Sequence, residues 1–275
     1  LEDKFKVHIM LKTAIFINDY LLLLDFLSKI EEEFPLLEYT VFGDKKFAES
    51  LEDSAEGYVE TDLSLLEDAE LLIMLAKPMH DEKVIKNFDG TIIDITGYEF
   101  SPDAEVFKVY EPVRKILRNI AVPVSDVSVV LSLPVCIYGR QGVEDLMQQT
   151  RSIFTFDETK SLVFHNRIAF NKHYNPVTAG LLVGKTVDDF ATSGGDISIR
   201  ISPLSTVFEM DVFAKDMFGL KNDEGYFPTE SFFTASDVSE RSDITVIPRR
   251  NGLTFVGDYV RVLIEDIIKQ MKEVI

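Results

Sequence analysis

Short apolar segments alternate with amphipathic ones through the first third of the chain. Apolar runs rich in β-branched residues predict strands, whereas apolar residues three or four positions apart predict helices. The predicted strands are Thr13–Ile17, Glu38–Phe42, Glu70–Leu75 and Thr91–Ile95. The predicted helices are Leu21–Ile30, a short acidic turn at Ser64–Asp68 and the polar segment Asp81–Asn87. Strands separated by helices are typical of a parallel sheet built from βαβ units.

The pattern changes in the middle of the chain. Alternating residues predict a strand over Asp126–Leu133, and Gly142 then precedes an amphipathic helix. The positions of that helix at helical spacing are Val143, Leu146, Met147, Thr150 and Phe154. Further strands are predicted at Ile197–Ile201, Thr206–Phe213, Thr245–Ile247 and Leu253–Val256, and a final helix at Tyr259–Val274.

The composition is that of a protein with a sizeable core. The chain has 275 residues, of which 46% are hydrophobic and 27% charged, so it suits one large domain or two ordinary ones. Its apolar stretches are too short to cross a bilayer, and Leu1–His8 lacks the apolar region of a signal peptide. The one cysteine, Cys136, excludes an intrachain disulfide. We therefore expect a cytoplasmic protein that does not insert into membranes.

The net charge of −19 argues against partners that are themselves negatively charged. Nucleic acids and anionic membranes are bound by surfaces rich in Lys and Arg, and an acidic chain repels them. We therefore expect no nucleic-acid partner. The simplest role of the acidic surface is to aid solubility.

Four segments resemble motifs of the aspartate-semialdehyde dehydrogenase family, in the family's order and spacing. Gly142–Leu146 followed by Gln149–Arg151 resembles the helix motif G-[IV]-E-E-L…Q-T-R. Phe164-His165 followed by Ile168–Asn171 resembles F-P-x-x-I-A-F-N. Ile199–Ile201 resembles the strand motif V-R-V-P, and Asn251–Leu253 resembles the N-G-L ending.

The resemblance implies an α/β fold with two domains. Residues 1–118 would form a degenerate Rossmann-like domain, and residues 119–256 an α/β dimerisation domain with a mixed sheet. Residues 257–275 would form a C-terminal helix that packs back on the first domain. The resemblance also implies a homodimer, with interface residues Ile168, Ala169, Phe170 and Asn171.

The dinucleotide-binding turn departs from the family pattern G-x-x-G-x-x-G. Its glycines would fall on Ile17, Tyr20 and Leu23, whose side chains fill the space that the phosphates need. After the later strands, Ala76–Met79 and Thr96–Phe100 replace the small and basic residues of the family. We therefore expect no bound cofactor.

The catalytic positions also depart from the family. Its nucleophile lies in N-P-N-C-[ST], but here a linker of about a dozen residues leads from Val113 to Asp126 without a cysteine. Cys136 lies among apolar neighbours, where a thiol behaves as a small hydrophobe. The family's acid–base histidine would fall on Val207. We therefore expect no catalytic residue.

The histidines do not predict a metal site. His165 and His173 lie eight residues apart without a partner cluster, and His8 and His80 are isolated.

One family position survives. Arg200 matches the arginine that holds the substrate carboxylate, although an ion pair with an acid in the sheet is an alternative role. The leading hypothesis is a non-catalytic protein acting as a homodimer or as a subunit of a larger assembly. The alternatives are a divergent NADP-dependent semialdehyde dehydrogenase and a small-carboxylate sensor that uses Arg200.

Overall fold

The computed structural model describes residues 11–51, 59–79, 82–158, 161–164, 166–174, 176–216, 218–229, 233–239 and 241–275. His8, His80 and His165 lie outside these ranges, as does the predicted start of the chain, Leu1–His8. Two compact units are present: Leu1–Val109 with Asp266–Ile275, and Tyr110–Glu265. No helix of the described residues is long and apolar enough to span a membrane.

The first unit contains a five-stranded parallel sheet in the order β2-β1-β3-β4-β5. Its strands are β1 (Thr13–Phe16), β2 (Tyr39–Phe42), β3 (Leu71–Met74), β4 (Thr91–Asp94) and β5 (Glu105–Lys108). Its helices are α1 (Tyr20–Glu33), α2 (Lys45–Leu51) and α3 (Lys83–Lys86), with a 3-10 turn at Leu63–Asp68. Every residue of β1 and β3 is buried, as expected for central strands covered on both faces.

The second unit contains a seven-stranded mixed sheet in the order β10-β11-β12-β9-β6-β8-β7. Its strands are β6 (Val127–Leu133), β7 (His173–Tyr174), β8 (Asp196–Ile201), β9 (Val207–Ala214), β10 (Tyr226–Pro228), β11 (Ile244–Arg249) and β12 (Gly252–Asp258). Its helices are α4 (Pro112–Asn119), α5 (Gly139–Thr155), α6 (Leu182–Thr192) and α7 (Ala235–Ser239). Alternation along β6 buries Val127, Val129 and Leu131 on the apolar face. The predicted α/β fold class, with one parallel and one mixed sheet, is confirmed.

Helix α8 (Tyr259–Val274) spans the division between the units, since the second ends at Glu265. Val262, Leu263, Ile267 and Met271 form its buried stripe. Within the first unit, Lys272 Nζ lies 2.6 Å from Glu33 Oε2 and joins the end of α8 to α1. This ion pair lowers the pKa of the Glu33 carboxyl.

The predicted linker between Val113 and Asp126 is wrong in its first part, which forms helix α4. Glu111 is the N-cap of α4, and its carboxylate accepts hydrogen bonds from the amides of Val113 (2.9 Å) and Arg114 (2.8 Å). Pro112 follows at the first helical position, where its fixed φ favours the helix. The Glu-Pro pair at the start of the segment was the available sequence signal.

Glu111 is also a buried acid of the second unit. The hydroxyl of Tyr259 donates a hydrogen bond to its Oε2 at 3.3 Å. Burial raises the pKa of Glu111, although the neighbouring Thr186 hydroxyl, the two helix amides and Tyr259 act in the opposite sense. The native protein therefore keeps this proton to a higher pH than the unfolded chain does. As the pH rises above the ordinary glutamate pKa, the contribution of Glu111 to the free energy of unfolding falls.

We predict that Glu111→Gln becomes more stable relative to the wild type as the pH rises from about 4 to about 8. The amide keeps an oxygen that can cap α4 but removes the ionisation that burial opposes. Urea unfolding followed by circular dichroism at several pH values measures this difference. A difference that is constant across the pH range would contradict the raised pKa.

Candidate functional site

The turn between β1 and α1 is filled by the protein's own side chains. Ile17 is fully buried and Leu23 nearly so, while Tyr20 is half-buried. Asp19 is the N-cap of α1 and accepts a hydrogen bond from the Leu22 amide at 3.0 Å. The helix N-terminus, where such folds bind phosphate, thus carries a carboxylate of the chain itself.

A second pair of polar side chains bridges the same edge of the sheet. Asn18 follows β1 and Asp44 follows β2, and the two exchange hydrogen bonds of 2.6 Å and 2.8 Å. Asp44 also accepts a hydrogen bond from the Met79 amide, beyond β3, at 3.3 Å. The carboxyl ends of β1, β2 and β3 are therefore joined where parallel sheets of this kind bind ligands.

The position of Asp44 also bears on the NADP alternative. An acid at the end of the second strand suits a free ribose hydroxyl, and its charge opposes the 2′-phosphate of NADP. Together with Asp19, it gives this edge negative charge. Lys77 is the nearby base, and its backbone carbonyl lies at the limit of a hydrogen bond from Asn18, at 3.5 Å.

The cysteine and the residue at the family's histidine position are buried inside the second unit. Cys136 lies in a short 3-10 turn, Val135–Tyr138, and is 6% exposed. Its amide donates a hydrogen bond to the Ser205 carbonyl at 2.9 Å. Val207 begins β9 and is also buried. Neither side chain is open to a substrate from solvent.

Arg200 lies on β8 between β6 and β7. It pairs in register with Ser132 on one side and Tyr174 on the other, and its Nε donates a hydrogen bond to Ser132 Oγ. No carboxylate of the described residues forms an ion pair with it. The expected pairing with an acid of the sheet is thus replaced by a hydroxyl contact, and its role as a carboxylate ligand stays a prediction.

The buried side of α5 is polar, although the spacing of its apolar residues suggested the opposite. Gly142, Asp145 and Gln149 are its buried residues, whereas Met147 and Phe154 of the apolar stripe are exposed. Gly142 allows close approach, since a Cβ there would lie 2.3 Å from the Val135 carbonyl oxygen. The helix therefore faces its own unit with side chains that form hydrogen bonds.

Asp145 and Gln149 hold the irregular segment that follows α5. Asp145 Oδ2 accepts hydrogen bonds from the amides of Val163 (2.7 Å) and Phe164 (3.0 Å). Gln149 Oε1 accepts from the amides of Ile168 (2.7 Å) and Ala169 (3.3 Å) and donates from Nε2 to Asp145 at 2.8 Å. The two motifs that resembled the family at Gly142–Arg151 and Phe164–Asn171 are therefore one hydrogen-bonded structure.

The charge state of Asp145 follows from these contacts. Burial alone would raise its pKa, but the amides of Phe164 and Val163 and the Gln149 side chain together lower it. Asp145 therefore remains a carboxylate that accepts several donors at once.

Three phenylalanines at the end of α5 and in the segment that follows it are exposed, and we call them the phenylalanine patch: Phe154 (70% exposed), Phe156 (95%) and Phe170 (66%). The rings of Phe154 and Phe170 meet edge to face with centroids 6.1 Å apart. Large aromatic side chains clustered on a surface are typical of protein interfaces.

Two residues of the phenylalanine patch have left-handed backbone conformations. Phe156 ends α5 with φ of 59°, and Phe170 has φ of 62°. Glycine or asparagine is the usual residue in this region, and a bulky side chain there costs about 1–3 kcal/mol. Neither side chain belongs to the core of the unit, so burial of the rings does not offset this cost.

The four predicted interface residues lie at two depths. Ile168 and Ala169 are buried by the contacts with Gln149, whereas Phe170 and Asn171 are exposed. The sequence did not indicate that Asp145 and Gln149 were buried, nor that Phe156 belonged to a surface. The spacing of four residues between Asp145 and Gln149 was the available signal that the two lie on one face of a helix.

The comparisons with known proteins concern the fold. The sequence matches no family model, and no curated protein sequence is similar to it. A probable aspartate-semialdehyde dehydrogenase from Pseudomonas aeruginosa has a similar structure, with a TM-score of 0.71, 16% identity, and coverage of 95% of this chain and 97% of that one.

Two further structures agree with that likeness. Aspartate semialdehyde dehydrogenase II from Vibrio cholerae, in complex with ASA, gives a TM-score of 0.72 and 15% identity over 96% of this chain and 97% of that one. The enzyme from Francisella tularensis gives a TM-score of 0.62 and 10% identity over 96% and 100%. The chain therefore has the fold of aspartate-semialdehyde dehydrogenases, as its motifs predicted.

We predict that Gln149→Leu destabilises the protein by about 2–4 kcal/mol, because it leaves the buried amides of Ile168 and Ala169 without acceptors. Urea unfolding measures the loss. The matched control is Gln148→Leu, one residue away on the exposed side of α5, which should leave stability almost unchanged. Equal effects of the two substitutions would show that Gln149 does not hold the segment.

Proposed function

We propose that this protein is a non-catalytic relative of the aspartate-semialdehyde dehydrogenases that acts as an interaction subunit. The observation that carries the proposal is the phenylalanine patch, which lies on the second unit beside the buried pair Asp145 and Gln149. Its occupant in this proposal is a second copy of the chain, so that the protein is a homodimer.

Symmetric association suits this surface. In a two-fold dimer the same patch meets itself, so one exposed aromatic cluster supplies both sides of the contact. The net charge of −19 repels an identical copy, so an apolar contact such as this patch is needed to offset that repulsion. The exposed members of the predicted interface, Phe170 and Asn171, belong to this region.

The absence of catalysis in this proposal rests on two regions. In the first unit, Asp19 and the bridge between Asn18 and Asp44 take the polar contacts of a dinucleotide site. In the second unit, the segment after Glu111 forms α4, and Cys136 is buried. A buried, reduced cysteine also fits the cytoplasmic location that we propose.

We predict that the wild-type protein sediments as a dimer at micromolar concentration and that Phe154→Ser with Phe170→Ser sediments as a monomer. The double substitution removes the two rings that touch at the centre of the patch and should lower dimer affinity by two or more orders of magnitude. Sedimentation velocity over a range of protein concentrations measures the change.

The control for this experiment is Leu36→Ser, which removes an exposed apolar residue of the first unit. It should leave the dimer intact, and the circular dichroism spectra of all variants should match. A wild-type monomer, or a dimer unaffected by the double substitution, would sink the proposed interface.

We also predict that NADP does not bind with a dissociation constant below about 1 mM. The physical reason is the negative charge of Asp19 and Asp44 at the edge where the phosphates would lie. Isothermal titration calorimetry with NADP tests this. Saturable NADP binding, or hydride transfer from aspartate semialdehyde, would replace the proposal with the enzymatic alternative.

A further inference from the structure

A cleft of about 820 Å³ opens in the second unit beside β7. Described residues between Val163 and Val177 form most of its lining, together with Tyr138 and Ile201. Its volume lies in the range of small-molecule sites in proteins. Neither Arg200, the predicted carboxylate ligand, nor Cys136 is among the described residues that line it.

Three aromatic rings form a fixed wall of the cleft. Phe164 is 6% exposed and lies between Tyr138 and His173, with ring centroids 5.3 Å and 5.6 Å away and edge-to-face geometry on both sides. The Tyr138 hydroxyl donates a hydrogen bond to the Val177 carbonyl at 3.1 Å. The Phe164 amide is held by buried Asp145. The wall therefore exists before any ligand arrives and offers an apolar surface to a planar ring.

The rim of the cleft is basic in an acidic protein. Arg167 and Lys172 line it, and no aspartate or glutamate occurs among the described residues of its wall. Within the described part of the chain, neither base lies within ion-pair distance of a carboxylate. Other bases of the second unit do pair with acids, such as Arg140 with Glu144 and Arg241 with Asp243.

Unpaired positive charge at the mouth of a concave site attracts anions, because the surrounding protein focuses the field into the opening. Neighbouring amide groups add donors, since Asn166 and Asn171 also line the cleft. The Asn171 side chain is partly engaged, donating to the Arg167 carbonyl at 3.2 Å. The wall and the rim together define two requirements for a ligand: a flat apolar ring and a negative group.

We propose that this cleft binds a small organic anion that carries a planar ring, such as an aromatic carboxylate. The ring lies against Phe164, Tyr138 and His173, and the anionic group meets Arg167 and Lys172. The ligand site is separate from the predicted carboxylate site at Arg200. It uses no residue of a second copy, although Asn171 belongs both to the cleft and to the predicted interface.

Isothermal titration calorimetry with 1-naphthoate tests both requirements on the wild-type protein. The comparison ligands are 1-naphthamide, which keeps the ring without the charge, and acetate, which keeps the charge without the ring. We expect naphthoate to bind about tenfold or more tightly than either of them. Absence of naphthoate binding at millimolar concentration, or equal binding of naphthamide, would overturn the proposal.

Paired substitutions locate the binding. Arg167→Gln with Lys172→Gln should weaken naphthoate binding about tenfold or more, because both charges at the rim are lost. Both residues are exposed, so the fold should tolerate the change. The matched control is Lys215→Gln, an exposed base of the same unit that pairs with Asp126, and it should bind as the wild type does.

Equal affinity of the double variant and the wild type would place the ligand elsewhere and overturn the proposal. The variant with Phe154→Ser and Phe170→Ser separates this question from dimer formation. If it is monomeric and still binds naphthoate, both proposals stand. If the wild type is monomeric yet binds naphthoate, only the homodimer fails.

Discussion

Two buried polar side chains on one helix turn, Asp145 and Gln149, set the geometry of the second unit's surface. Between them they accept hydrogen bonds from four backbone amides of the segment that follows α5. That segment is irregular at Val163–Phe164 and has no strand partner there, so its amides depend on these side chains. A buried amide without an acceptor costs about 1–3 kcal/mol, which makes the pair hard to replace singly.

This constraint decides what α5 presents to solvent. With its polar side turned inward, the apolar residues Met147 and Phe154 face outward, and Phe156 ends the helix in a left-handed conformation. The same hydrogen bonds hold Phe164, which belongs to the aromatic wall of the cleft. They also hold the segment that leads to Phe170, whose ring lies beside that of Phe154. The proposed protein interface and the proposed anion cleft thus share one supporting structure.

In the first unit, polar side chains form hydrogen bonds with the chain itself at one edge of the parallel sheet. Its parallel sheet has the doubly wound order β2-β1-β3-β4-β5, and Asn18, Asp44 and Asp19 form hydrogen bonds at the edge where such sheets bind ligands. Polar groups that bind one another gain little from a ligand, and their negative charge opposes phosphate. The ligand edge of this sheet is thereby stabilised by contacts within the chain.

Local patterns were sufficient for the central elements and the fold class. The strands β1, β3 and β4 are short apolar runs, whereas β6 and α8 show the periodicity of a strand and of a helix. The ordered motifs also predicted the dehydrogenase-like fold, because each motif contains residues that the fold itself needs. The prediction missed helix α4, although Val113, Ile116 and Leu117 lie at helical spacing and Glu111 and Pro112 mark its start.

Tertiary structure alone decided which side of α5 is buried. Its apolar stripe is the ordinary sign of a core-facing helix, but hydrogen bonds to a segment up to twenty residues away outweigh that preference. The cleft likewise unites Tyr138, Arg167 and Ile201, whose proximity depends on strand pairing between β7 and β8. Such long-range contacts leave no local periodicity. The sequence by itself therefore determined the central strands, several helices and the fold class, and only the tertiary structure decided which residues form the phenylalanine patch and the cleft.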